Sequence, residues 1–425
     1  MTLSSTRTAR NRGLIHASDA SFPRRTKRAA AARALAAPGA GAALDAAANA
    51  EAGALVARCG DSDADVATDM LPELQRAALR TMYRFLTATP LPASAAAEAP
   101  YLAAAGVLRA TLPLRARSAW AVAPDALYRL ASPLGRGEAA AAHAAHRLAR
   151  AALAAAAPGS PLAALAAARA ARGGGAERDA LDEAATLLFA GHDTQAATLA
   201  WAMLRLAAAP ACAARLRRHC AAAGLGAADD AAVSSAAAAR VPLLEAVIRE
   251  TLRLHPPAPL VVRRLEAPLA CPAAGGAKGA EPQASLPAGS AAAVWLHAVH
   301  RDAVAWGADA DAFRPQRWLR RASSADDAAP AAADTVPCAD DDAFDAWRLA
   351  DGVGGGAYMP FAAGPRACVG AGVAQAALRV MLARIALGLD WSAGDVDLHP
   401  SVGFTVTPAA GVPLRVQRRE ERQAG

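Results

Sequence analysis

Lysine is nearly absent: Lys27 and Lys278 are the only two in 425 residues, so 43 of the 45 cations are arginine. Aromatic residues make up 4% of the chain, and 130 alanines account for much of the 54% hydrophobic content. Large apolar side chains are therefore scarce, and alanine, the best helix former, packs thinly. No strongly apolar run reaches the roughly 18 residues of a spanning segment, which argues against a transmembrane helix. The six cysteines (Cys59, Cys212, Cys220, Cys271, Cys338 and Cys368) show no C-x-x-C and no regular spacing. This argues against both a zinc site and a secreted disulfide framework, and a reducing compartment fits. The length allows one large domain or two ordinary ones, with a sizeable core.

The net charge of +7 would ordinarily suggest nucleic acid or a membrane surface as partner. Its location removes nucleic acid: Arg7, Arg10, Arg12, Arg24, Arg25, Lys27, Arg28 and Arg33 face the single acid Asp19, so residues 1–35 carry the whole excess. A basic leader with Ser and Thr and few acids reads as a transit segment to a plastid or mitochondrion. Residues 36–60 are low-complexity Ala and Gly. Residues 1–60 are therefore expected to be a disordered leader and 61–425 the folded domain.

Helical spacing begins at Leu71, Leu74, Ala78, Met82 and Phe85, continues through 122–131 and 138–170, and breaks at Gly173–Gly175. His143 and His146, three apart, read as an exposed helix face. The longest candidate runs from Ala176 to about Ala209, opened by acids that suit the helix dipole and closed before Pro210. Gly191, Asp193 and Thr194 fall in its middle, where each weakens a helix locally. Such weakness points to a pocket. A further helix spans Val241 to His255. Segments 258–262 and 291–296 read as strands, and 402–417 as a closing hairpin. Two stretches, 271–285 and the Asp-rich 320–356, read as inserted surface loops.

The sharpest signal is Pro360-Phe361-Ala362-Ala363-Gly364-Pro365-Arg366-Ala367-Cys368-Val369-Gly370, followed by a helical stretch to about Leu389. It is a Gly-hinged loop presenting one Cys just before a helix N-terminus, where N–H groups and the dipole favour a thiolate. Gly364 and Gly370 let the backbone turn around the sulfur. Phe361 can shield it, and Arg366 offers a cation to an acidic cofactor group. Glu250 and Arg253 stand three apart on one helix face, alone only a weak pair.

This loop resembles the haem-binding signature of the cytochrome P-450 superfamily, F-x-x-G-x-R-x-C-x-G, matched by Phe361, Gly364, Arg366, Cys368 and Gly370. The superfamily's A-G-x-D-T (Ala190, Gly191, Asp193, Thr194), E-x-x-R (Glu250, Arg253) and F-x-P-x-R (Phe313, Pro315, Arg317) follow in its order. His300-Arg301-Asp302 and Trp306-Gly307 resemble its approach to the last of these. The resemblance implies a mainly α fold with small β-sheets and haem b, iron protoporphyrin IX, with Cys368 as axial thiolate. It implies Arg366 on one propionate and Arg263 or Arg264 on another. Gly191 would open a groove for O₂, and Asp193 and Thr194 would relay protons. Glu250, Arg253 and Arg317 would form a buried network fixing the thiolate loop.

The resemblance covers about residues 66–425 and is strongest from 176 onward. The first sheet and helices, with a W-x-x-x-R contact to haem, have no counterpart: Trp120 precedes Pro124 by four residues. An incomplete N-terminal portion is expected. The function implied is a monooxygenase inserting one atom of O₂ into an apolar small molecule of lipid, terpenoid, carotenoid or sterol type. His192, Phe189, Val261 and Phe404, with Leu187, Leu188, Pro259 and Leu260, are the expected pocket neighbours. The chain stops shortly after the haem motifs, so an external NADPH-dependent reductase or ferredoxin is expected to supply electrons. A hydroperoxide lyase or isomerase on the same fold is disfavoured by Thr194, and a remnant unable to hold haem is the reading from another class.

Overall fold

The computed structural model describes residues 24–419 apart from 61–65, 93–96, 122, 172–175, 227–231, 273–281, 322–346 and 351. The chain is mainly helical. Two helices, α1 (Arg24–Leu35) and α2 (Ala40–Gly60), occupy the stretch expected to be disordered. The short α2 side chains allow close approach: Ala47, Ala48, Ala52 and Leu55 are completely buried, and the helix packs on later elements of the core. The expectation failed because low complexity was equated with having little to bury, whereas alanine combines high helix propensity with tight packing. Residues 1–23, the remainder of that leader, lie outside the described residues.

Helices α3 (Leu71–Thr87), α4 (Glu98–Ala116), α5 (Asp125–Ala131), α6 (Pro133–Ala155) and α7 (Pro161–Ala170) follow. Ser132 and Ser160 cap α6 and α7, each accepting a backbone N–H three residues on, with proline at the start of the helix. The helical pattern expected over 138–170 is divided between α6 and α7. His146 is not simply a surface residue: its Nε2 lies 3.1 Å from the buried Asp182 carboxylate. Helix α8 (Ala176–Ala207) runs 32 residues without interruption through the Gly-Asp-Thr segment. Thr186, Thr194 and Thr198 each donate their hydroxyl to the carbonyl four residues back, which satisfies them inside the helix.

Beyond it come α9 (Pro210–Ala222), α10 (Ser235–Ala238), α11 (Pro242–Leu254), the single turns α12 (Leu296–Val299) and α13 (Ala303–Trp306), and α14 (Ala371–Gly388). Helix α14 is long and apolar enough to cross a membrane, with a mean hydropathy of 1.3 and 56% of it buried inside the protein. It packs against α2, α8, α9, α10 and α11, the surroundings of a core helix.

The strands are short. β1 (Thr68–Asp69), β8 (Leu389–Ser392) and β11 (Pro413–Arg418) form an antiparallel sheet in the order β1-β11-β8. The two apolar runs form strands as expected, β2 (Leu260–Arg264) and β5 (Ala291–Trp295), and these pair antiparallel with each other. β3 (Leu269–Pro272) pairs with β4 (Pro282–Leu286), and β6 (Leu319–Arg321) with β7 (Trp347–Leu349), so parts of both stretches expected to be loops, 271–285 and 320–356, are strand, while 273–281 and 322–346 lie outside the described residues. The expected closing hairpin does not form: β10 (Val406–Pro408) pairs with β9 (Pro400–Val402), while β11 turns to β8. Two apolar cores result, one around α2, α8, α9, α11 and α14, the other around α1, α3, α6, α7 and the first half of α8.

Candidate functional site

The Cys368 loop lies between these cores, with Phe361 packed against the first and Val369 against the second. Gly364 takes φ +72°, a conformation that favours glycine, and Ala362 takes φ 56°. The Cys368 N–H donates to the Phe361 carbonyl at 2.8 Å, closing the loop on itself. A side chain at Gly370 would bring its Cβ to 4.0 Å from the Cys368 sulfur. Solvent reaches the Cys368 side chain, but protein surrounds it on other sides. That burial raises its pKa, against a backbone N–H of Gly370 and the charge of Arg28, which favour the thiolate.

Arg28 was not anticipated. It stands on α1, 339 residues from the loop, and its guanidinium donates to the Ala367 carbonyl. An upstream arginine does reach the thiolate loop, from a helix that contains no tryptophan. Its only sequence signal was membership of the basic leader. Lys27 beside it is buried and pairs with Asp179 of α8 at 3.2 Å, which docks α1.

The charge network forms as expected. Glu250 and Arg253 are fully buried and joined by two 2.8 Å hydrogen bonds. Arg317 Nε adds a third at 3.0 Å, the Trp318 indole N–H a fourth at 2.9 Å, and the Arg314 backbone N–H a fifth at 2.8 Å. Arg253 also reaches the carbonyls of His300, Ala310 and Ala312.

The centre of α8 departs from expectation at several residues. A Cβ on Gly191 would sit 2.6 Å from the Met82 side chain of α3, so this glycine permits close packing of two helices. It does not open a groove at its own Cα. Asp193 is buried, and both of its oxygens are taken: Arg109 of α4 donates at 2.6 Å and the Thr405 hydroxyl at 2.5 Å. No hydrogen bond joins Asp193 to Thr194, whose hydroxyl donates to the Ala190 carbonyl at 2.8 Å. Arg109 had no sequence signal. Its own carbonyl accepts the Phe404 N–H at 2.9 Å, tying α4 to the turn before β10.

Phe189, His192 and Phe404 do cluster, with ring centroids 6.0 Å and 5.8 Å from Phe189. Burial lowers the His192 pKa, and its Nδ1 lies 2.9 Å from the Leu188 carbonyl. Leu188 and Leu187, expected in a pocket, belong instead to the second core, and Leu260 is half exposed on β2. Val261 and Arg263 lie on β2, where Arg263 donates to the Val262 carbonyl at 2.9 Å. Arg366 is exposed at the end of a short turn, Gly364–Arg366.

Within a mainly helical fold, the self-closed Cys368 loop beside Arg28 is the arrangement that the resemblance to haem-thiolate proteins calls for. Among the described residues no group of three or more His, Cys, Asp or Glu could chelate a bare metal. A sequence model of the cytochrome P-450 family matches residues 2–408, and the chain belongs to that family. Family members hold haem through a cysteine thiolate, and the donor set here fits: one solvent-reachable sulfur, an N–H and a guanidinium supporting its charge, and glycine beside it.

The chain is similar to cytochrome P-450 monooxygenase milC of Cordyceps militaris, 30% identical over 233 residues, 54% of this chain and 38% of that protein. It is 34% identical to cytochrome P-450 78A11 of Oryza sativa subsp. japonica over 51% of this chain and 33% of that one. Cytochrome P-450 52E2 of Candida apicola is 32% identical over 52% and 36% respectively. The matches thus span 33–38% of these relatives' length. A zebra fish cytochrome P-450 structure with abiraterone superimposes with a TM-score of 0.67 at 19% identity, covering 99% of this chain and 87% of that one, which shows the shared fold.

Proposed function

We propose that the protein is a haem-thiolate monooxygenase that inserts one atom of O₂ into an apolar small molecule. The observation that carries this reading is the Cys368 loop, closed by its own backbone and flanked by Arg28. Haem, when bound, supplies the iron at which O₂ is activated. Cys368 is the ligand, and Arg28, Arg366 and Arg263 are the cations assigned to the haem carboxylates. Because binding to iron removes the thiol proton, ligation overrides the burial that raises the free thiol's pKa.

The Thr194 hydroxyl donates its hydrogen bond to the Ala190 carbonyl, which leaves its oxygen lone pairs to accept from a donor in the site. It is the residue assigned to hold a proton-carrying water, with Asp193 entering the relay only on release from Arg109 and Thr405. The Phe189–His192–Phe404 cluster favours an apolar substrate of lipid, terpenoid, carotenoid or sterol type. Electrons are assigned to an external reductase or ferredoxin.

The test is the CO-bound reduced spectrum of the haem-loaded protein. The red-shifted Soret band of a thiolate complex is expected in the natural protein and in Cys271→Ala, and not in Cys368→Ala. Loss in both variants, or retention in both, overturns the assignment of Cys368.

A further inference from the structure

His300 is fully buried where the end of α11, the segment after α12 and the chain entering the Cys368 loop meet. Its Nδ1 lies 3.1 Å from the Arg253 carbonyl, and its Nε2 lies 3.1 Å from the Met359 backbone nitrogen. A carbonyl only accepts and a backbone N–H only donates, so the ring proton is on Nδ1 and the lone pair on Nε2. The arrangement is reciprocal, because the His300 carbonyl accepts from the Arg253 guanidinium at 2.8 Å. Burial first, then the charges of Arg253 and Arg301, push the ring's pKa down to about 4, which keeps that lone pair available near neutral pH.

Met359 opens the thiolate loop. Its carbonyl accepts the Ala362 N–H at 2.9 Å, at the residue with φ 56°, and the next carbonyl back, that of Phe361, accepts the Cys368 N–H at 2.8 Å. A path of short contacts thus leads from Glu250 through Arg253 and the His300 ring to the backbone that cradles the sulfur.

We propose that His300 is a positioning residue that couples the Glu250–Arg253 network to the loop of Cys368. Arg253 does not itself reach Met359; the imidazole spans the gap with its two nitrogens facing opposite ways. The inference rests on Cys368 as haem ligand only for its effect on haem, and the loop can be read without it.

Two substitutions separate the links. In His300→Asn the side-chain amide takes the place of Nδ1 and keeps the bond to Arg253 but falls short of Met359. In His300→Gln the side-chain oxygen reaches the position of Nε2 and restores the acceptor. Amide deuterium exchange of the segment from Met359 to Cys368 in the haem-free chain is expected to quicken in H300N by about tenfold or more, the scale of one lost buried hydrogen bond. In H300Q it is expected to stay within about threefold of the natural protein, while helices α3 and α8 exchange alike in all three. In the haem-loaded protein, H300N is expected to show a smaller share of the thiolate-type CO band than H300Q. Equal exchange in H300N and H300Q overturns the proposal, whatever the Soret band does. Should H300N fail to fold, H300L against H300Q makes the same comparison with the same outcomes. Quickened loop exchange in H300N alone, with the same CO band in both variants, would instead count against Cys368 as ligand and leave the positioning role of His300 standing.

Discussion

Two of the buried carboxylates, Glu250 and Asp193, are held very differently. Glu250 accepts five hydrogen bonds from two guanidinium groups, an indole and a backbone N–H. Asp193 accepts two, from Arg109 and Thr405. Every donor to Glu250 lies within 68 residues of it and is anchored by other contacts. Arg109 by contrast keeps 19% of its side chain in solvent, against 10% for Arg317 and none for Arg253. With its amide turned oxygen-first, Gln75 offers Arg109 a second acceptor at 2.9 Å. Glu250 is overdetermined and suited to holding a loop still. Asp193 is held by one arginine that has somewhere else to go, which suits a group that must change partners.

The largest expected effect is at the first carboxylate. Glu250→Gln strands two arginines and is expected to cost about 3–5 kcal/mol or prevent folding, measured by urea midpoint. If it costs no more than Asp193→Asn, the contrast between the two sites is wrong.

Acid is expected to act through His300. Its usual pKa is about 6.5 and its folded value about 4, so between these only the unfolded chain takes the proton. The contribution is complete above about pH 6.5, falls as pH drops toward about 4, and totals about 3 kcal/mol. His300→Gln should therefore flatten the acid limb of stability against pH by about one proton, and an unchanged slope would count against the neutral buried ring.

Asp193→Asn should cost less, about 1–3 kcal/mol, because Arg109 can turn to Gln75 and solvent. Thermal unfolding of the single variants and of the Arg109→Met double variant would show the coupling. A smaller effect is expected for Gly191→Ala, about 1–2 kcal/mol from the clash with Met82, offset in part by better helix propensity. Met82→Ala in the same chain should relieve it, and strict additivity of the two would show that this glycine is not a packing contact.

What could be read in advance follows from chain distance and from how distinctive the residues are. Phe361 to Gly370 packs several unusual requirements into one loop, and Glu250, Arg253 and Arg317 sit in short, recognisable runs. Arg28 and Arg109 act on partners 339 and 84 residues away, and no local pattern marks them; His300 stands in a recognisable run, but that run does not show its bond to Met359, 59 residues on. Helix α2 was missed because period and polarity are both faint in alanine, whose burial is visible only when another helix lies against it. The Phe404 turn was read as part of a hairpin because strand propensity shows that a strand exists and leaves its partner open.

The two lysines give α1 a chemical reporter. Lys27 has 2% of its side chain accessible and its ammonium on Asp179, so an acylating reagent can reach it only when α1 lifts away. In a chain whose other cations are almost all arginine, modification of Lys27 followed by mass spectrometry would count how often that helix, and Arg28 with it, leaves the thiolate loop.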